Sequence, residues 1–300
     1  MPNRTNFIVE PGNGLSGCIQ VPGDKSISHR SIMLGSISEG ITKISGFLRG
    51  EDTLATLEAF RKLGVIVEEV DKNNLIINGV GLTGLTASAK PLDLGNSGTS
   101  VRLISGLLVG QKFETTLIGD DSLSRRPMKR ITDPLKLMGS NIETTAEGTI
   151  PINIKPVSDL VNISYDIPIV SAQVKSCLLF AGLYAAGETW INEPAPSRDH
   201  TERMLETFGC KVLRKGTAIG VRGKEKLNGT TIQIPTDISS AAFFIVGATI
   251  ISNSDLTIQN VGINPLRDGI LSILGLMGAN IEILNKREFN RELIADIRIR

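Results

Sequence analysis

Four copies of one local pattern run through this chain at similar spacing. In each copy an amphipathic segment ends at a glycine and a short β-like run follows; the four glycines are Gly64, Gly139, Gly209 and Gly278. They recur at roughly 70-residue intervals, and a fixed period of this kind indicates a repeated structural unit. Glycine readily adopts the left-handed conformation that follows a helix, so each glycine is predicted to mark the end of a helix.

A second marker keeps step with the first, because a serine-rich segment lies about 40 residues before each glycine. These segments contain Ser26, Ser97, Ser171 and Ser239. Serine is a favoured N-cap, so each segment is predicted to open a helix. The residues alone then predict a unit of strand, helix, strand, helix and strand. The alternative is chance recurrence of a common Leu-Met-Gly pattern.

Three of the predicted helices have almost no polar face, namely those at residues 101–109, 174–186 and 241–251. A helix that is apolar all round belongs inside a core rather than on a surface. If the units pack alike, the serine-rich helix starts gather at one pole. Their unpaired N–H groups and the positive ends of their dipoles would form an anion site there.

Composition excludes several classes of function. Of the 300 residues, 41% are hydrophobic, which excludes a disordered chain. Lys and Arg number 32 against 31 Asp and Glu, and 4% of residues are aromatic. Neither a basic surface nor a stacking platform for nucleic acid is therefore expected.

The sequence also predicts no metal, leader or membrane span. Cys18, Cys177 and Cys210 are scattered, which suits a reducing compartment. His29 and His200 lack metal-ligand spacing. No signal peptide is visible in the first residues, and the longest apolar stretches are too short to cross a bilayer. We expect a soluble, cytoplasmic α/β protein that binds neither nucleic acid nor membrane.

The richest motif is Pro-Gly-Asp-Lys-Ser-Ile-Ser-His-Arg at residues 22–30. Lys25 and Arg30 place two cations beside a predicted helix start, where Arg can hold a carboxylate or phosphate with two parallel hydrogen bonds. A solvated basic turn is the alternative. The functional interpretation is favoured because Ser26 and the helix end lie in the same place.

Four further segments are weaker candidates. Residues 95–102 read Gly-Asn-Ser-Gly-Thr-Ser-Val-Arg, in which Gly98 would let a ligand approach the backbone. Arg125 and Arg126 precede a proline, and an exposed helix lead-in is an equal alternative. In the segment 171–175, Gln173 could hold a hydroxyl or carboxylate, and Lys175 opens an otherwise apolar helix. The segment 197–202 has a plain N-cap as its alternative.

Two literal motif matches fail in context. The dinucleotide fingerprint Gly12-x-Gly14-x-x-Gly17 is followed by a strand-like run instead of a helix. The string at residues 23–26 ends like a phosphate-binding P-loop, but Gly17 lies one residue too far upstream. No recognisable nucleophile motif is present.

The segments at residues 22–30, 95–99, 126–128 and 171–173 together resemble the 5-enolpyruvylshikimate-3-phosphate synthase family, and the resemblance runs through the whole chain. It implies an α/β fold of repeated βαβαββ units with buried helices, arranged as two lobes in an inside-out α/β barrel. Residues 22–236 would form one complete lobe of three units. Residues 1–21 and 237–300 would form an incomplete second lobe.

The resemblance also implies which residues bind substrate. Lys25 would be catalytic and would contact both substrates. Further shikimate 3-phosphate contacts would be Ser26, Arg30, Ser171, Ala172, Gln173, Ser197 and Arg198. Phosphoenolpyruvate contacts would be Lys25, Asn96, Gly98, Arg126 and Gln173. No metal or organic cofactor is implied.

The implied reaction transfers the enolpyruvyl group of phosphoenolpyruvate to the 5-hydroxyl of shikimate 3-phosphate and releases phosphate. Family members are longer than this chain, so we expect a C-terminally truncated polypeptide that is inactive alone, and a monomer at full length. A related alternative is the enolpyruvyl transferase acting on UDP-N-acetylglucosamine, which the Lys-Ser-Ile-Ser-His-Arg string disfavours. An alternative of another class is a non-catalytic anion-binding fragment.

Overall fold

The computed structural model describes residues 7–10 and 12–300, which fall into two compact units. The large unit comprises Gly23–Pro235 and Glu288–Glu292. The small unit comprises the described residues up to Pro22, together with Thr236–Arg287 and Leu293–Arg300. The assignment of these parts to lobes of a longer protein stays a prediction. The absence of a leader at the N-terminus was predicted from residues that lie outside the described ones.

The large unit contains three four-stranded sheets of one topology, each with one parallel pair followed by antiparallel pairs. In order across the sheet, the first contains β13 (Thr231–Gln233), β2 (Glu39–Ser45), β4 (Leu75–Val80) and β3 (Ile66–Glu69). The second contains β5 (Leu92–Asp93), β6 (Thr115–Ile118), β8 (Ile152–Lys155) and β7 (Asn141–Glu143). The third contains β9 (Ser164–Asp166), β10 (Glu188–Asn192), β12 (Ala218–Arg222) and β11 (Val212–Lys215).

Six α-helices are described in the large unit, with a 3-10 turn at Leu123–Arg125. They are α1 (Lys25–Ile37), α2 (Glu51–Lys62), α3 (Gly98–Leu108), α4 (Lys129–Leu137), α5 (Ala172–Gly182) and α6 (His200–Thr207). Along the chain, β5, α3, β6, α4, β7 and β8 form one βαβαββ unit, and β9, α5, β10, α6, β11 and β12 form another. The residues alone predicted three strands in each unit. The structure has four, because the last strand of each unit was not predicted.

The small unit repeats this topology once. Its sheet contains, in order, β1 (Ser16–Ile19), β14 (Asp255–Gly262), β16 (Glu292–Ile299) and β15 (Ile281–Phe289), and its helices are α7 (Ile238–Ile250) and α8 (Gly269–Leu276). The parallel strand of this sheet is exchanged along the chain: β1 precedes α1 but pairs with β14, whereas β13 precedes α7 but pairs with β2. The described strands form four separate sheets and no closed barrel.

The marker glycines lie where the repeat predicted them. Gly64, Gly139, Gly209 and Gly278 follow the last residues of α2, α4, α6 and α8, with φ of +89°, +81°, +88° and +90°. Only the left-handed region satisfies these angles, and a side chain would be strained there. The recurrence of the glycine therefore reflects the same helix ending used four times.

Three buried helices form the interior of the large unit. Every residue of α1 from Ile27 onward is buried, as is every residue of α3 except Thr99 and every residue of α5 except Gln173. Helix α3 packs against α5, and α1 packs against both α3 and α6. The predicted burial of the 101–109 and 174–186 segments is confirmed for the residues within these helices.

The same prediction was wrong for the segment 241–251. In α7 the buried residues are Ile238, Ala241, Ile245 and Ala248, which share one face, while Phe243 is 82% exposed. A helix buries all its faces only when other elements cover them, and the α7 residues that are buried form a single stripe. No described helix is both long and apolar enough to cross a membrane.

This asymmetry of α7 predicts a large loss of stability at one position and almost none two residues away. Ile245→Ala removes a fully buried side chain and should lower the free energy of unfolding by about 2–5 kcal/mol. Phe243→Ala alters an exposed side chain and should change it by less than about 0.5 kcal/mol. Urea denaturation of the two variants and the unsubstituted chain measures both. Similar losses for both variants would show that Phe243 is covered.

Candidate anion-binding site

Each of the three buried helices has a side chain that caps its N-terminus. The hydroxyls of Ser97 and Ser171 accept hydrogen bonds from Ser100 N (3.1 Å) and Val174 N (3.3 Å), so two of the predicted serine caps are correct. Ser26 is not the cap of α1, although the helix does begin in its segment, because Asp24 Oδ1 accepts from Ile27 N at 2.9 Å and caps α1.

The fourth predicted cap was wrong in the same way. Asp237 Oδ1 accepts from Ser239 N at 2.9 Å and caps α7. A carboxylate is favoured over a hydroxyl near the positive end of a helix because its charge interacts with the dipole. In both helices the aspartate precedes the predicted serine by two residues, and the serine falls inside the first turn.

The first turns of α1, α3 and α5 meet at one cleft, which we call the anion cleft. Its lining residues are Ser26, Arg30, Thr99, Ala172, Gln173, Arg198 and His200. Thr99 and Gln173 are the positions at which α3 and α5 are not buried, so these helices reach the surface only at the cleft. Three positive helix ends therefore point to one place, an arrangement that stabilises bound negative charge.

Arg30 is held rigidly at the floor of the anion cleft. Its side chain is 4% exposed, and Nε donates to Thr201 Oγ1 (2.6 Å) while Nη2 donates to Ser176 Oγ (2.8 Å). Burial lowers the pKa of the Arg30 guanidinium to about 10, although the Glu202 carboxylate opposes this shift. Arg30 therefore stays charged at neutral pH, and a bound anion would offset the loss of its water shell.

The orientation of Gln173 is fixed by two hydrogen bonds. Its Oε1 accepts from Arg102 Nη1 at 3.0 Å, and its Nε2 donates to Thr99 Oγ1 at 3.1 Å. Arg102 is itself buried, and burial lowers its pKa, followed by the charges of Arg130 and Arg126. Arg102 thus links the anion cleft to a second group of residues.

This second group surrounds Gly98 at the start of α3. A Cβ atom at Gly98 would lie 2.7 Å from Arg102 Nη1 and 3.0 Å from Arg126 Nη1. Arg126 donates through Nη2 to Asn96 Oδ1, and Asn96 Nδ2 donates to Asp120 Oδ2 at 2.8 Å. Two guanidinium groups therefore approach the backbone at Gly98, where a side chain would displace them.

The remaining predicted residues lie around these two groups. Lys25 forms an ion pair with Asp52 and is 48% exposed, beside the anion cleft and not in its lining. Ser197 Oγ donates to Glu193, and the Ser171 hydroxyl is used in capping. The assignment of the predicted residues to particular substrates stays a prediction.

Several residues that shape the site were missed as site residues from the sequence. Thr201 and Ser176 hold Arg30, and Asp52 pairs with Lys25. Thr201 lies in the candidate segment 197–202 but was not itself proposed, and nothing in the sequence around Ser176 or Asp52 marks those two residues. Each contact joins elements that are distant along the chain. Lys175 had a visible signal, a charge in an apolar helix. Within the described residues no three His, Cys, Asp or Glu side chains could jointly hold a metal ion.

A buried hydrogen-bond chain joins the starts of α1 and α3. His29 Nδ1 contacts Thr56 Oγ1 at 2.8 Å, Thr56 Oγ1 contacts Ser100 Oγ at 2.6 Å, and Ser100 Oγ donates to Ser97 Oγ at 2.6 Å. Burial, followed by the charges of Arg30 and Lys25, lowers the pKa of His29 to about 3. The imidazole is therefore neutral in the folded protein at neutral pH.

Known proteins resemble this chain over nearly its whole length. The family model described as EPSP synthase (3-phosphoshikimate 1-carboxyvinyltransferase) matches residues 9–297. The 3-phosphoshikimate 1-carboxyvinyltransferase of Methylococcus capsulatus is 58% identical over 294 residues, which are 98% of this chain and 67% of that protein. The protein of the same name from Alkalilimnicola ehrlichii is 55% identical and is matched over 66% of its length.

Solved structures agree with these sequence matches. A structure of EPSP synthase from Acinetobacter baumannii superposes with a TM-score of 0.92 at 54% identity, over 97% of this chain and 66% of that chain. A second structure of EPSP synthase from that organism gives a TM-score of 0.91. The predicted fold class is confirmed. The chain spans about two thirds of the length of these relatives.

The low pKa of His29 predicts a specific loss of stability in acid. In the unfolded chain the imidazole titrates near its ordinary value of 6.5, so between about pH 6.5 and 3 only the unfolded state binds this proton. As the pH decreases from about 6.5 to 3, the free energy of unfolding should decrease by about 1.4 kcal/mol per pH unit. The stabilisation associated with the neutral His29 imidazole is fully present above pH 6.5. Urea denaturation at pH 7, 6 and 5 should show a shallower decline for His29→Gln. Parallel declines would mean that His29 takes up its proton while folded.

Proposed function

The chain belongs to the EPSP synthase family, and on that premise we propose that it provides the shikimate 3-phosphate site and part of the phosphoenolpyruvate site of a 3-phosphoshikimate 1-carboxyvinyltransferase. The observation that carries this proposal is the anion cleft, where three helix N-termini meet beside Arg30 and Arg198. Both substrates are phosphorylated carboxylates, so a site for them needs fixed positive charge.

In the proposal the anion cleft holds shikimate 3-phosphate. Arg30 and Arg198 supply charge to the phosphate, and the first-turn N–H groups of the helices add hydrogen bonds. Ser26 and Gln173 supply neutral polar groups that can hold ring hydroxyls. Ser171, Ala172 and Ser197 complete the set from the loops and helix start around the cleft.

Phosphoenolpyruvate is assigned to the group around Gly98. Arg126 and Asn96 offer donors on one side of the glycine, and Lys25 lies one residue before Ser26 of the anion cleft. Gln173 belongs to both groups, because Arg102 connects its amide to Gly98. In the proposal the two substrates therefore bind next to each other, as transfer between them requires.

The proposed reaction transfers a group between the substrates and redistributes charge as it does so. A proton adds to the methylene carbon of phosphoenolpyruvate, and the 5-hydroxyl oxygen loses its proton and bonds to the adjacent carbon. That carbon then loses phosphate while the new methyl group loses a proton, which restores the carbon–carbon double bond of the transferred enolpyruvyl group. Lys25 and Arg126 stabilise negative charge on the departing phosphate. Fixed cations of this kind act because they need no reorganisation during the reaction. We place the activity in the cytoplasm, as the free thiols of Cys18, Cys177 and Cys210 suggest.

The proposal predicts that this chain binds shikimate 3-phosphate through Arg30. Isothermal titration calorimetry should show binding that Arg30→Ala weakens by about tenfold to a hundredfold, the effect of losing charged hydrogen bonds. Arg49→Ala is the control, since Arg49 pairs with Glu69 and is not part of the site. Thermal stabilisation by UDP-N-acetylglucosamine and not by shikimate 3-phosphate would contradict the proposal.

A second prediction concerns the space at Gly98. Gly98→Ala should push aside Arg102 or Arg126 and weaken phosphoenolpyruvate binding, measured with shikimate 3-phosphate at saturation, by about tenfold. Shikimate 3-phosphate should bind with a smaller change. Gly275→Ala is a matched control, because a Cβ atom at that position meets nothing within 4 Å. Equal affinity of the Gly98→Ala variant for phosphoenolpyruvate would remove Gly98 from the pocket.

A further inference from the structure

Each of the three buried helices of the large unit carries one buried cation near its N-terminus. The third of these cations, Lys175, has no role in the proposed binding of the substrates. Arg30 of α1 lines the anion cleft, and Arg102 of α3 holds Gln173. Lys175 of α5 is 2% exposed and does not line the cleft. Its side chain instead contacts the segment between β10 and α6 and the first turn of α6.

Three acceptors surround the Lys175 ammonium group. Nζ lies 2.7 Å from Glu193 Oε2 and 2.7 Å from Glu202 Oε1, and it donates to the backbone oxygen of Ser197 at 3.4 Å. Both carboxylates are almost completely buried. One ammonium group thus joins the residue that follows β10, the middle of the connecting segment and the first turn of α6.

Stability alone gives little reason for this arrangement. Burying an ammonium and two carboxylates carries a desolvation cost that their attraction often fails to exceed. Burial raises the pKa of Glu202 against the opposing charge of Lys175, and Glu202 Oε2 has no hydrogen-bond partner among the described residues. The rest of α5 is otherwise largely apolar.

The segment that Lys175 fixes carries two of the residues assigned to shikimate 3-phosphate. The Ser197 hydroxyl donates to Glu193, and Arg198 lines the anion cleft. Beyond them Thr201 accepts from Arg30 and contacts Ser176 Oγ at 2.6 Å. The positions of both arginines in the cleft therefore depend on elements that the Lys175 cluster joins.

We propose that Lys175, with Glu193 and Glu202, is a positioning cluster that fixes the segment 193–202 and so places Ser197 and Arg198 for the phosphate of shikimate 3-phosphate. This inference rests on the proposed function. Lys175 itself touches no substrate. It acts through the backbone of Ser197 and through the two carboxylates.

The test measures segment order and ligand affinity separately. Lys175→Met keeps most of the side-chain volume and removes the charge. Lys175→Met/Glu202→Gln also keeps the net charge of the cluster, so it stays informative if the single variant does not fold. Lys112→Met is the control, since Lys112 donates to Val157 O at 2.9 Å on an exposed surface and has no role in the site.

Hydrogen exchange should be faster in the connecting residues 193–199 of the Lys175 variants. Exchange in the described strands should be unchanged. Calorimetry should show about tenfold weaker binding of shikimate 3-phosphate. A double-mutant cycle with Arg198→Ala separates positioning from general destabilisation, because the effect of Lys175→Met should shrink once Arg198 is absent.

The outcomes are distinguishable. No binding of shikimate 3-phosphate by the unsubstituted chain overturns the proposed function and, with it, this inference. Binding that is equally strong in the Lys175 variants, or an additive cycle, overturns the inference alone. Faster exchange throughout the large unit would assign the cluster a purely structural role and would overturn it as well.

Discussion

The burial of three helices in one core is the constraint on which the rest of the large unit depends. Helices α3 and α5 are largely apolar, and α1 is buried beside them although it carries serines, His29 and Arg30, so the three helices share an interior and their first turns are brought to one cleft. Uncovered N–H groups and positive dipole ends then accumulate at that cleft. The anion site is therefore a consequence of how the core is built, and the arginines add to a field that the backbone already provides.

The C-terminal ends of the same helices, where the dipoles are negative, lie close to charged side chains. Ile37, Val109 and Leu183, at the ends of α1, α3 and α5, line a cavity of about 710 Å³ together with Lys112, Lys224 and Lys226. Cations near helix C-termini stabilise them. Lys224 and Lys226 also pair with Asp159 and Glu39, which line the same cavity, so the chain itself partly neutralises the positive charge at this end. The other end carries buried arginines whose pKa values burial lowers, and it remains suited to external anions.

Sequence patterns predicted what one chain segment determines by itself. The glycines at helix ends were predicted correctly, because a left-handed residue is a local requirement, and so were the caps Ser97 and Ser171. Asp24 and Asp237 were missed because a serine two residues later has similar local statistics. The partners of Arg30 and Lys175 could not be predicted, since Thr201, Glu193 and Glu202 approach them only after three separate elements have packed.

Helix α7 shows the limit of inferring burial from hydrophobicity. Its composition is more apolar than that of α5, yet α5 is buried on nearly all sides and α7 buries one stripe. In the large unit α1, α3 and α5 cover one another, and in the small unit α7 packs against a single sheet. Hydrophobicity states how much surface a helix can bury, whereas the number of neighbours decides how much it does bury. The repeat that makes the four units alike in sequence therefore does not make them alike in burial, and a site built from converging helix ends requires the threefold arrangement found in the large unit.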